Sequence, residues 1–138
     1  MKNRIIVVAV LLVVVFLAGF VPSYAKAHRL ENELREARRE NSLAQLRDLA
    51  SLAYFQAIQK DYGLAASTST RFFNRTREAA NQAPDASARK QLEDLLSFRD
   101  RITAELAKGD PGVLNDLQSL FLKTRQATGI PSGSPQPE

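Results

Sequence analysis

The chain has 138 residues, 44% of them hydrophobic, with 19 Lys and Arg against 15 Asp and Glu, one histidine and no cysteine. Without cysteine it has no disulfide staple, thiolate nucleophile, cysteine-ligated metal or covalently attached haem. Setting aside Lys2 and Arg4 of the N-terminal tail leaves 17 basic and 15 acidic side chains, alternating in sign, so no concentrated basic surface for nucleic acid is expected.

The first element follows the short basic tail Met1-Lys2-Asn3-Arg4. Ile5 to Val21 is a run of 17 residues with no charged or hydrogen-bonding side chain, and it ends at Pro22. A helix of that length spans about 26 Å at roughly 1.5 Å per residue, close to the hydrocarbon thickness of about 30 Å. The reading is a single transmembrane anchor within residues 1–23, with Ile5, Leu11, Leu12, Phe16, Phe20 and Val21 as membrane-spanning positions in contact with lipid. Ser23-Tyr24-Ala25 and Ala25-Lys26-Ala27 are small-x-small patterns that offer a cleaved signal peptide as the alternative. The basic residues near the two ends, Lys2 and Arg4 against Lys26, His28 and Arg29, nearly balance. The short tail and the export-like pattern favour a single-pass membrane protein whose C-terminal domain lies outside the cytoplasm, on a bacterial inner membrane facing the periplasm.

Beyond Pro22 the periodicity is helical and no strand pattern appears. Ser23 is placed to cap a helix running from Tyr24 to about Asp61. Residues 24–42 carry a thin apolar seam, Ala27, Leu30, Leu34 and Ala37, in a charged background that reads as a stalk. From Leu49 to Ile58 the helix is apolar almost all round, which predicts a segment surrounded by others at the centre of the domain. Asp61-Tyr62-Gly63 marks the next break, with Gly63 supplying a helix C-terminus, and a second helix follows from Leu64 to about Asn81. Its opening, Ala65-Ala66-Ser67-Thr68-Ser69-Thr70, forms helix poorly by propensity, so packing must hold it.

Asp85 after Pro84 is an N-cap for a third helix from Ala86 to Lys108, with Ala88, Leu92, Leu95, Ile102 and Leu106 as its seam. In Gly109-Asp110-Pro111 the glycine ends that helix, the aspartate caps the next and the proline occupies its first position. The fourth helix presents Val113, Leu114, Leu117, Leu120 and Phe121, and Gly129 stops it. Proline and small residues predict a disordered tail over 129–138. The fold class expected is therefore all-α: an N-terminal single transmembrane helix, a charged stalk over 24–42, and an antiparallel bundle of about four helices over 43–128.

Chemistry is sparse in this pattern. His28, the only histidine, lies next to the apolar run, and no Glu-x-x-His pairing of a ferritin-like metal bundle occurs. Glu93, Asp94, Asp100 and Glu105 read as a solvated face among Arg89, Lys90, Arg99 and Arg101. No catalytic, cofactor-binding or metal-ligating residue is assigned, and no enzyme activity or cofactor is expected. Arg99 extends the apolar seam of the third helix and is placed to send its head out at the bundle edge or to meet a ligand. Phe72 and Phe73 are adjacent, and since both cannot face inward equally, one is a candidate contact for a partner, together with Tyr62.

Leu52-Ala53 followed by Asp61-Tyr62-Gly63-Leu64-Ala65 resembles the turn of a tetratricopeptide helix pair over about 15 residues. Ser69, Phe72 and Arg77 stand where that family has an aromatic, a small residue and proline, and no second repeat is visible. The resemblance implies a helix-turn-helix at this point. Taken together, the residues suggest a membrane-anchored extracytoplasmic helical interaction or scaffold module. The alternatives are a coiled coil that self-associates through Leu30, Leu34, Ala37 and Ala44, and a small-ligand or lipid carrier released by signal cleavage, with a cavity near Arg99.

Overall fold

The structure, a computed structural model, describes residues 1–129, the side chains of 17–25 excepted. Among the described residues it is all-helical, with five helices: α1 Lys2–Ile58, α2 Tyr62–Asn81, α3 Ala86–Leu96, α4 Arg99–Lys108 and α5 Val113–Ala127. The chain divides into two compact units, Met1–Arg38 and Arg39–Glu138. The expected tail, Gly129 apart, lies outside the described residues.

In the first unit every described residue is exposed. No helix among the described residues is long and apolar enough to cross a membrane. This finding corrects the transmembrane, signal-anchor and single-pass reading, and with it the placement of the C-terminal domain outside the cytoplasm on an inner membrane. Ile5, Leu11, Leu12 and Phe16 are exposed on α1, and the side chains of Phe20 and Val21 lie outside those described. The helix start expected at Tyr24, capped by Ser23, is not used, because α1 is one helix from Lys2 to Ile58.

The second unit has a continuous core. α1 contributes Leu46, Ala50, Ala53 and Ala57, spaced to fall on one face; α2 contributes Ala65, Phe72, Phe73 and Ala80; α3 Leu92 and Leu95; α4 Ile102 and Leu106; α5 Val113, Leu117 and Leu120. α2 packs against both α3 and α4, and α5 packs against the same two helices. The small opening of α2 is held as its weak propensity demands, with Ala65, Thr68 and Ser69 all buried. Buried Thr76 and Thr124 donate to the carbonyls of Phe72 (2.9 Å) and Leu120 (2.7 Å) one turn back, so their hydroxyls do not enter the core unpaired.

Local signals decide the corners. α1 ends in a Schellman motif: the Asp61 N–H donates to Gln56 O and the Lys60 N–H to Ala57 O, both at 3.0 Å. The left-handed residue of this motif is Lys60, at φ 63°, and not the glycine three positions later. Gly63 lies in the first turn of α2, whose cap is Asp61, accepting from the Leu64 N–H at 3.1 Å. One residue thus closes α1 and opens α2, which produces the helix-turn-helix expected there. Asp85 caps α3 by accepting from the Ala88 N–H at 2.7 Å. α4 ends in a second Schellman motif, here with Gly109 at φ 64°. Asp110 accepts from the Gly112 N–H at 2.8 Å and leads into α5.

The third helix expected from sequence is two helices. Between α3 and α4 the backbone stays right-handed through Ser97 and Phe98, but the Phe98 N–H reaches only to Leu95 O, a tighter turn than an α-helix makes. The Ser97 hydroxyl donates to Asp94 O at 2.7 Å, the local bond by which serine competes with the helix ladder. The Phe98 ring is held between Lys123 and Arg101, at 5.1 and 5.7 Å from its centroid.

The two Schellman corners differ in one respect, which defines a test. Left-handed backbone is unfavourable for lysine and open to glycine. Lys60→Gly is expected to raise unfolding stability by about 1 kcal/mol and Gly109→Ala to lower it by about as much, both read by urea denaturation at constant slope.

Candidate functional site

The residues singled out as partner contacts do not share a surface. Phe72 is 0% exposed and Phe73 2% exposed, with their rings edge to face at 5.2 Å. Both face inward because the buried side of α2, from Thr68 to Phe73 around the helix, covers roughly 140° at about 100° per residue. Adjacent residues fit within an arc of that width. Tyr62 is half-buried beside Gly109, where a Cβ would lie 3.5 Å from its ring, so it braces the α1–α2 corner against the end of α4. Arg99 is half-buried at the first position of α4.

The accessible apolar surface of the second unit lies elsewhere. Leu52, Phe55 and Ile58 on α1 are 43%, 57% and 48% exposed, Leu64 on the first turn of α2 is 54% exposed, and Leu122 on α5 is 51% exposed. At about 100° per residue Phe55 points roughly opposite the buried Leu46, Ala50, Ala53 and Ala57 face, with Leu52 and Ile58 flanking it. This corrects the expectation of a segment enclosed on every side. Over residues 50–58 α1 buries Ala50, Ala53 and Ala57 and exposes Leu52, Phe55 and Ile58, a choice that composition over Leu49–Ile58 does not reveal.

Between α1 and α2 runs an open groove lined by Gln45, Asp48, Leu49, Arg71, Asn74, Arg75 and Glu78. Its charges are mixed, and Arg75 pairs with Glu78 at 3.2 Å. Among the described residues no group of three or more His, Asp and Glu is placed to hold a metal ion.

A coupled set of charges joins α4 to α5. Arg101 grips Asp116 with two nitrogens, its Nη2 donating to Oδ1 at 2.6 Å and its Nε meeting Oδ2. Asp116 is the less accessible partner, its side chain 16% exposed against 60% for Arg101. One turn beyond Arg101 stands Glu105, whose Oε2 is buried without a donor to accept from. Burial first, then the Asp116 carboxylate beside it and Asp110 further off, hold the Glu105 carboxyl above its ordinary value of 4.5, while Arg101 pulls the other way. Glu105 is therefore not part of the solvated acidic face expected on this helix. Sequence reasoning also missed Arg101 and Asp116; the i, i+4 spacing of Arg101 and Glu105 beside the Ile102 and Leu106 seam was the available signal.

Compared with known proteins, the chain matches no protein family, no curated protein and no solved structure.

A raised carboxyl means that folded Glu105 holds its proton to higher pH than the unfolded chain does. Stability therefore declines as pH rises from the ordinary value through the raised one, and the full penalty is present above it. Glu105→Gln removes the charge and is expected to raise the melting midpoint at neutral pH. That gain should fade below the ordinary value of 4.5, a dependence measured by thermal melts across the acid range.

Proposed function

We propose that the unit beginning at Arg39 is a protein-interaction module, not an enzyme, and that it binds through the apolar corner formed by Leu52, Phe55, Ile58 and Leu64. The observation that carries this reading is the exposure of these four large side chains while the alanines of the same helix fill the core. A folded unit gains by burying leucine, isoleucine and phenylalanine, so a helix that turns them outward and alanine inward has placed them for something else. Spacing of three residues from Leu52 to Phe55 to Ile58 suits an apolar helix face or groove on a partner. Short connections between successive helices, which favour antiparallel neighbours, give that corner a rigid support.

The experiment is photo-crosslinking in the native cell, with a photoreactive amino acid at Phe55 or, as a control, at Gln118, which is exposed on α5. A discrete heavier adduct from position 55 and none from 118 is expected. No adduct from 55, or equal adducts from both, overturns the reading; an adduct whose added mass is a second copy of this chain replaces the partner with self-association. Phe55→Ser should move folding stability by no more than about 0.5 kcal/mol, as for an ordinary surface position.

A further inference from the structure

From Lys26 to Arg38 α1 exposes every residue, and among them Leu30 and Leu34 stand 68% and 51% exposed. Ala27, Leu30, Leu34 and Ala37 recur at intervals of three, four and three, the spacing of a coiled-coil seam with Ala27 and Leu34 at a and Leu30 and Ala37 at d. The flanking positions carry the argument further. Lys26 and Glu33 fall at g, and Glu31 and Arg38 at e.

In a parallel pair of helices in register, each g residue faces the e residue five positions on in the partner. Lys26 then meets the partner's Glu31, and Glu33 meets the partner's Arg38, both pairs of opposite sign. Reversing one helix so that Leu30 lies on the partner's Leu34 brings Glu31 against the partner's Glu31 and Glu33 against the partner's Glu33. The same reversal also sets Lys26 near the partner's Glu40, so the reversed pair mixes attraction with repulsion, whereas the parallel pair faces opposite signs only, and the charges favour the parallel orientation. Continued along the sequence, the same spacing places Asn41 at a, the polar residue that at this position selects register and two strands. Ile5–Phe16 is apolar on all sides and carries no register.

We infer that residues 26–38 of α1 form a parallel, in-register, two-stranded coiled coil with a second copy of this chain. The pairing is independent of the partner surface at the α1–α2 corner.

The absence of native cysteine makes disulfide mapping direct, because bridges form only where two Cα atoms come within about 7 Å. The full chain is prepared as three single variants, Leu30→Cys, Leu34→Cys and Asn32→Cys, the last at the outward position f. Oxidation is expected to link Leu30→Cys and Leu34→Cys into dimers and to leave Asn32→Cys monomeric. Linkage at only one of positions 30 and 34 indicates a different alignment of the two helices and overturns the inference. Equal linkage at all three, or none at either seam position, also overturns it. In the Leu34→Cys background, Glu33→Lys should lower dimer yield at limiting concentration about tenfold, and adding Arg38→Glu should restore it; a general loss of structure would show no such rescue.

Discussion

The second unit depends on the burial of Phe72 and Phe73 together. A helix that turns two adjacent phenylalanines inward must be covered over a wide arc, and α2 accordingly buries Ala65, Thr68, Ser69, Phe72, Phe73, Thr76 and Ala80. That arc is why α2 packs against both α3 and α4, and it leaves the buried hydroxyls of this helix among apolar neighbours. Truncating Phe72, fully buried, removes on the order of 3–5 kcal/mol, comparable to much of the net stability of a small domain.

Around that helix the division of labour on α1 follows from volume. The alanines Ala50, Ala53 and Ala57, each 1% exposed, give a smooth face that lets neighbours come close. Leu52, Phe55 and Ile58 are thereby turned outward. A core already filled by Phe72, Phe73 and the leucines of α3 and α5 has its large side chains supplied from elsewhere. The exposed apolar corner is thus a consequence of how the interior is filled, and the proposed binding role grows out of it.

Charge acts with different strengths along the chain. The Glu31–Arg35 pair, 2.9 Å apart on α1, is exposed at both ends and contributes little. Arg101 and Asp116 tie α4 to α5 with a bidentate grip in which one partner is largely covered. Next to them, burial and the Asp116 carboxylate hold the Glu105 carboxyl above its ordinary value, while Arg101 pulls the other way. Along residues 26–38, by contrast, the order of charges matters more than any single pair, because it distinguishes parallel from reversed association.

The helical class, the cap at Asp85 and the turn at Gly109-Asp110 were legible from local pattern, because each rests on bonds a residue makes with its own near neighbours. So was the charge order beside Leu30 and Leu34, a property of spacing along one helix. Tertiary structure decided what depends on distant contacts. Phe98, held by Lys123 of α5, accompanies the break between α3 and α4; Lys60 accepts a left-handed backbone that glycine usually takes because the corner must close there. The apolar run beginning at Ile5 read as a membrane span from hydropathy, whereas among the described residues no helix is long and apolar enough to cross a membrane. Which face of Leu49–Ile58 is buried, and whether Glu105 meets water, were also beyond local pattern. Both are set by the side chains that other helices bring against them.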